Sequence, residues 1–263
     1  MSAGTFAPRP GSAPAWSMVA SQAGFEARLL LRNGEQLLLT LVIPVLVLVL
    51  GAVVDLGLID AGPGGAAGRA DRLAFLTPGV LALAVLSTAF TGQAISTGFE
   101  RRYGALKLLG ASPLPRWGLL AGKTIAVLLV EVIQVALIGV IALALGWAPR
   151  GSVLSVMALL LTGTAAFSAL GLLMAGTLRA EATLAAANLV YLLLLAGGGI
   201  FLPLARFPGA VRSVLEFLPS AALADGLRAV LGEAAALPGR PVLILLAWAL
   251  AAGALAARTF RWE

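Results

Sequence analysis

Glu100-Arg101-Arg102-Tyr103-Gly104-Ala105-Leu106-Lys107-Leu108-Leu109-Gly110-Ala111-Ser112-Pro113 is a compact, charged, helix-capable segment that ends in a proline stop. It is wedged between two long apolar runs, 73–98 and 117–145. A bilayer needs roughly 20 apolar residues to be crossed, and both runs supply them, so the segment between them protrudes. Arg101, Arg102, Lys107, Arg116 and Lys123 concentrate positive charge there, which the positive-inside bias assigns to the cytoplasmic side. A short cytoplasmic helix held between two membrane helices is a docking element.

Composition agrees. The chain of 263 residues is 60% hydrophobic and 11% charged, with a mean hydropathy of +1.00. Soluble domains carry about 25% charged residues, so this is an integral membrane protein, and its length leaves no room for a separate soluble catalytic domain. The net charge of +6 sits in loops that flank apolar runs and is no nucleic-acid signature. Cysteine and histidine are absent, which excludes disulfides, thiol chemistry, imidazole metal sites and histidine-dependent membrane hydrolases.

The first 18 residues, rich in Ser, Ala, Pro and Gly, read as a disordered tail without a signal-peptide apolar core. Residues 19–36 alternate Phe25, Leu29, Leu30 and Leu31 with Glu26, Arg28, Arg32 and Glu35, the pattern of an interfacial amphipathic helix. Six spans follow, Leu37–Val54, Leu73–Gly98, Trp117–Leu145, Val153–Leu178, Thr183–Leu204 and Pro241–Ala257, in one membrane domain, 37–263. The expected fold is therefore an all-α membrane protein. An even number of spans places both termini on one side; with them inside, eleven cations lie in cytoplasmic segments and seven outside. Between Leu204 and Pro241, Pro208-Gly209 and Pro219-Ser220 open two short amphipathic helices, with Ser220 as a cap. These either dip into the outer leaflet as re-entrant helices or lie on the external surface.

Candidate chemistry is sparse. Gly118-Leu119-Leu120-Ala121-Gly122-Lys123-Thr124 imitates a phosphate loop, but has three residues where that loop needs four and follows no strand. Gly118 and Gly122 are spaced for close helix packing instead. Glu131 is a carboxyl group deep in the third span, a placement that costs roughly 2.5–3.5 kcal/mol. Gln134 and Thr124 share its helix face. Either Glu131 is protonated and bonded to a neighbour such as Asn188 or Gln93, or it lines a wet pathway or subunit interface. Asn188 and Tyr191 occupy one face of the fifth span, and Thr91, Gln93, Ser96 and Thr97 crowd the second, as residues that face protein; Asn188 and Tyr191, with Gln134 and Thr124, join Glu131 as candidates for a transport pathway or subunit interface. No nucleophile–base pair, carboxylate pair or metal cluster emerges.

Taken together, Glu100-Arg101-Arg102, Gly104, Leu106, Leu109 and Ser112-Pro113, with Arg32-Asn33, Ile43-Pro44, Phe201-Leu202-Pro203, Phe207-Pro208 and Leu218-Pro219, resemble the permease subunit of type-2 ABC exporters. That group includes bacterial drug-efflux and polysaccharide- or lipid-export permeases. The resemblance implies that residues 100–112 form a coupling helix, with Glu100, Arg101, Arg102, Tyr103, Gly104, Leu106, Lys107, Leu109 and Ser112 contacting a separate ATP-binding subunit. It also implies two ATPases and two permease copies, identical or homologous, per working unit in the inner (plasma) membrane. This chain would bind no cofactor, ATP and Mg²⁺ being held by the partner, and would move a hydrophobic or amphiphilic drug, lipid or glycan-type substrate outward. The competing expectation is an ATP-independent secondary transporter with Glu131 as a proton or cation site. That class predicts internal repeats, and the chain displays no convincing one.

Overall fold

A computed structural model describes residues 13–54, 68–110, 113–233 and 236–259, and every regular element among them is helical. In chain order these are α1 (Ala15–Arg32), α2 (Gly34–Val53), α3 (Arg69–Val85), a π-helical turn (Leu86–Gly92), α4 (Gln93–Arg102) and α5 (Ala105–Gly110). After them come α6 (Arg116–Ala144), α7 (Val153–Thr177), α8 (Ala180–Gly197), a 3₁₀ turn (Leu204–Arg206), α9 (Gly209–Leu215), α10 (Pro219–Glu233) and α11 (Gly239–Thr259). Among the described residues, six helices are long and apolar enough to cross a membrane: α2, the continuous α3–π–α4 rod, α6, α7, α8 and α11.

The α3–π–α4 rod is 34 residues long and forms the centre of the bundle. Its apolar stretch is 83% buried, against 17–39% for the other spans, which turn large apolar side chains such as Val42, Leu46, Val132, Leu192 and Leu250 outwards. Lipid tails solvate those faces as well as another helix would, so packing must come from close contact. Glycine provides it: a Cβ on Gly171 of α7 would lie 2.7 Å from the Phe90 carbonyl oxygen in the π turn, so α7 rests directly on that backbone. Phe90 and Phe167 fill the adjoining core.

Three boundaries differ from the sequence reading. Helix α1 begins at Ala15, so residues 15–18 are helix and not tail, while residues 1–12 lie outside the described residues. The composition misled because Pro14 sits at the N-cap, where its missing N–H costs nothing. Helix α1 ends at Arg32, and Asn33 caps α2 by accepting from the Gln36 N–H at 3.2 Å, so residues 34–36 belong to the first span. Finally, α8 stops at Gly197, short of Leu204, because Gly199 takes a left-handed φ of 64° and a Cβ on Gly198 would lie 2.6 Å from the Ser220 Cβ. The chain turns there and packs against α10.

Helix α10 is no loose loop. Ala221, Ala222, Leu223, Ala224, Leu227, Val230 and Leu231 are buried against α3, α7, α8 and α11. Ser220 falls inside this helix, which starts at Pro219, so it is not the expected cap, and its hydroxyl is buried without a partner among the described residues.

Candidate functional site

The segment read as one docking helix is built from three pieces. Glu100, Arg101 and Arg102 close α4; Tyr103 and Gly104 turn the chain, Gly104 at φ 77°; and Ala105–Gly110 form α5. Ser112 lies outside the described residues. Leu106 is fully buried and joins Val19 of α1 with Leu114, just before α6, and Leu119 in its first turn; Leu109 packs on this small core. Arg101 donates to the Leu178 carbonyl and Arg102 to the Glu181 carboxylate, fastening the end of α4 to the α7–α8 connection. Tyr103 stacks on Phe99 yet is 77% exposed, and Lys107 is exposed beside it. The anchored side is apolar, and the presented side carries Tyr103 and cations.

Glu100 does not face outwards. Its Oε2 accepts from Lys123 Nζ at 2.7 Å, and Lys123 also lies 2.8 Å from Oε1 of Glu26 in α1. Gln22 Nε2 donates to that same Glu26 oxygen at 2.8 Å. Lys123 is only 4% exposed. The sequence reading counted Lys123 among the cytoplasmic loop cations; it is instead a buried, doubly paired ammonium inside the third membrane helix. Gly122 makes this possible: a Cβ there would meet Gln22 Cγ at 2.9 Å, so the glycine lets α1 close on α6, as its packing role required.

Further along α6, Glu131 is buried and accepts a hydrogen bond from the Thr164 hydroxyl of α7. Its neighbour is thus neither Asn188 nor Gln93. Thr164 has a single hydroxyl hydrogen and two acceptors in reach, Glu131 and the Leu160 carbonyl at 2.8 Å. Gln134 exchanges hydrogen bonds with Thr88 of the π turn (2.8 and 3.1 Å) and donates to the Thr40 carbonyl at 3.3 Å. Thr124 stands apart from both, bonded to the Leu120 carbonyl and bordering an apolar groove with Ala165, Ala169 and Ala249.

Because Glu131 Oε1 has no partner among the described residues, while Thr164 keeps Leu160 without it, Glu131→Leu should leave thermal stability unchanged or higher. Relief of an unsatisfied buried oxygen is worth about 1–3 kcal/mol. Melting of the detergent-solubilised variant checks this; a clear loss of stability would mean the second oxygen has a partner after all.

Asn188 and Tyr191 line an open cleft of about 600 Å³ between α2 and α8, floored by the rod and shared with Gln36, Thr40, Ser87 and Thr91. The Tyr191 hydroxyl lies 3.3 Å from Ser87 Oγ, and Asn188 donates to the Leu184 carbonyl. At the opposite end of the rod, Arg228 of α10 donates to the Ile200 carbonyl (2.8 Å) and Asp225 (3.1 Å), reaches the Phe75 carbonyl (3.4 Å), and stacks 3.9 Å above the Phe75 ring. Burial pushes the Asp225 carboxyl up against the opposing pull of Arg228, and burial likewise lowers Arg228. Close by, hydrogen bonds from Arg240 and Arg212 hold Glu216 below its ordinary range. Lys123, buried, and Arg228, partly buried, are cations whose inward placement sequence reasoning missed. A lone basic residue at a helical position otherwise filled by apolar side chains was their only signal.

Six helices long and apolar enough to cross a membrane, with a short anchored helix between the second and third, mark a multi-pass membrane protein. Residues 23–231 match the ABC-2 type transporter family, the permease component of type-2 ABC transporters, and the chain belongs to that family. Such a membrane domain is a transport permease and is not itself catalytic. No curated protein matches the chain significantly.

Proposed function

We propose that this chain is the membrane half of an ATP-driven exporter, with both termini and the 100–116 connection in the cytoplasm of a cell with this protein in its plasma membrane. In this reading α5 is the coupling helix, α1 the connecting helix on the inner leaflet, and an ABC ATP-binding subunit docks on Tyr103 and Lys107. Two such subunits drive two permease copies, ATP and Mg²⁺ staying with the ATPases. The observation that carries the reading is the anchoring of α5: with Leu106 in a core shared by α1 and α6, and Arg101 and Arg102 tied to the α7–α8 connection, a push on so short a helix reaches four spans.

The cleft between α2 and α8 is the natural path. Its mouth holds Asn33, Glu35 and Gln36, its depth Thr40, Ser87, Asn188 and Tyr191, and its walls Ile43, Pro44 and Ile95. Hydroxyls and amides set among apolar side chains suit an amphiphilic substrate, and Asn188, exposed at membrane depth, calls for cover from a second copy or the cargo. Of the residues singled out by sequence, Asn188 and Tyr191 belong to this path. Gln134 braces its wall through Thr40, whereas Glu131 faces α7. That orientation weighs against a secondary transporter built on Glu131.

The test uses the chain purified from native membranes, which should carry vanadate-sensitive ATPase activity. Gly104→Pro should abolish it at least tenfold while the permease stays inserted and folded. Proline cannot take the positive φ of Gly104 and removes the N–H that bonds the Arg101 carbonyl, so α5 is re-aimed without touching the membrane core. Undiminished vanadate-sensitive ATPase activity in the folded variant would remove α5 from the coupling role.

A further inference from the structure

The buried ion cluster joins three pieces of chain that any push on α5 has to move. Glu26 belongs to α1, Glu100 to the last turn of α4 just before α5, and Lys123 to the early turns of α6 just after it. One ammonium therefore staples the base of the α4–α5–α6 hairpin and grips α1 with the same contact. Two carboxylates face one ammonium, and Gln22 supplies a further donor to Glu26.

The packing around this staple is open on one side. Beside it lies a cavity of about 20 Å³, bounded by Glu26, Gln93, Ser96, Thr88 and Lys123, with room for about one water. Gln93 is 4% exposed, and neither its oxygen nor its nitrogen finds a partner among the described residues. Gln93, Ser96 and Glu100 recur along α4 at spacings of three and four, which sets them on one helix face as a row of oxygen acceptors. A slide of the α3–π–α4 rod along α6 by one turn, about 5.4 Å, withdraws Glu100 from Lys123 and brings Ser96 opposite it, with Gln93 one turn further along the row. Steps of this size between packed helices are an established way for proteins to switch.

We infer that Lys123 is a positioning residue for transport: its ammonium clamps α1 to the coupling hairpin in this conformation and passes up the α4 acceptor row towards Gln93 when the hairpin is driven. The inference rests on the exporter reading, and its test separates the two. Spin labels at Val53→Cys and Val214→Cys, both exposed and in a cysteine-free chain, report the end of the bundle remote from α5. Distances are measured in the nanodisc-embedded complex with its ATP-binding subunit, before and after trapping with ATP and vanadate.

The otherwise unaltered chain should show a shift of several ångströms. The triple variant Glu26→Gln/Lys123→Met/Glu100→Gln, which leaves no unpaired charge and keeps the Val19–Leu106–Leu119 core, should hydrolyse ATP yet show none. Gln93→Leu removes an amide without a partner, so it should melt no lower, while the trapped population falls several-fold. A full shift in the triple variant overturns the clamp, and a full shift in Gln93→Leu overturns the step. Absence of any shift in the unaltered complex would instead count against the exporter reading.

Discussion

Lys123→Met is expected to cost about 3–5 kcal/mol, the range for breaking a buried ion pair by removing one partner. In a chain of this length that lowers the melting temperature on the order of 10 °C. The cost does not come from the lost attraction alone. Glu26 and Glu100 both approach Lys123 within 2.8 Å, so without it two carboxylates are left close together in a site that is nearly closed to water. Gln22 is then the one remaining donor to Glu26. Adding Glu26→Gln and Glu100→Gln to Lys123→Met should therefore restore most of the stability, because a neutral site no longer strands a charge. Thermal or denaturant unfolding of the three variants decides it. A single Lys123→Met variant within 1 kcal/mol of the parent would show that the site is hydrated and the pairing worth little.

That cluster also marks where the sequence stopped being readable. The six spans and the anchored segment between the second and third followed from hydropathy and charge, since length and apolarity are properties each stretch carries by itself. Lys123 was obscured by its neighbourhood. It lies close to Arg116 and near the start of an apolar run, so it resembled one more flanking cation, and Gly122-Lys123-Thr124 drew attention to nucleotide chemistry. The pattern to notice was periodic: Lys123, Val127, Glu131 and Gln134 share one face of α6, and Gln22 and Glu26 share one face of α1. Polar side chains on the buried faces of two helices require one another. The partner of Glu131 was illegible for a different reason. Thr164 is one hydroxyl among several in α7, and only the contact of α7 with the π turn, through Gly171, brings it opposite α6. The end of α8 depended on a steric fact: the sequence reading runs the fifth span to Leu204, but the close approach of Ser220 to Gly198 stops the helix at Gly197.

At the other end of the rod, Arg228→Leu should destabilise the protein by about 2–4 kcal/mol. The guanidinium serves the Ile200 carbonyl, the Phe75 carbonyl and Asp225 together and lies over the Phe75 ring, so one substitution leaves two carbonyl oxygens without their donor and Asp225 without its counter-ion. Arg228→Lys should recover less than half of that loss. An ammonium is a point charge without the planar fork that reaches three acceptors in fixed directions. Asp225→Asn should cost least, since its side chain is 47% exposed and Arg228 keeps both carbonyls. The order therefore runs Leu, then Lys, then Asn. The damage should also be local before it is global: hydrogen exchange in residues 199–207, which follow α8 and hang on the Ile200 contact, should quicken in Arg228→Leu while the amides of α6 and α7 stay protected. Equal losses in all three variants, or exchange that rises evenly across the bundle, would mean that Arg228 adds general packing and does not fasten α10 to the end of α8.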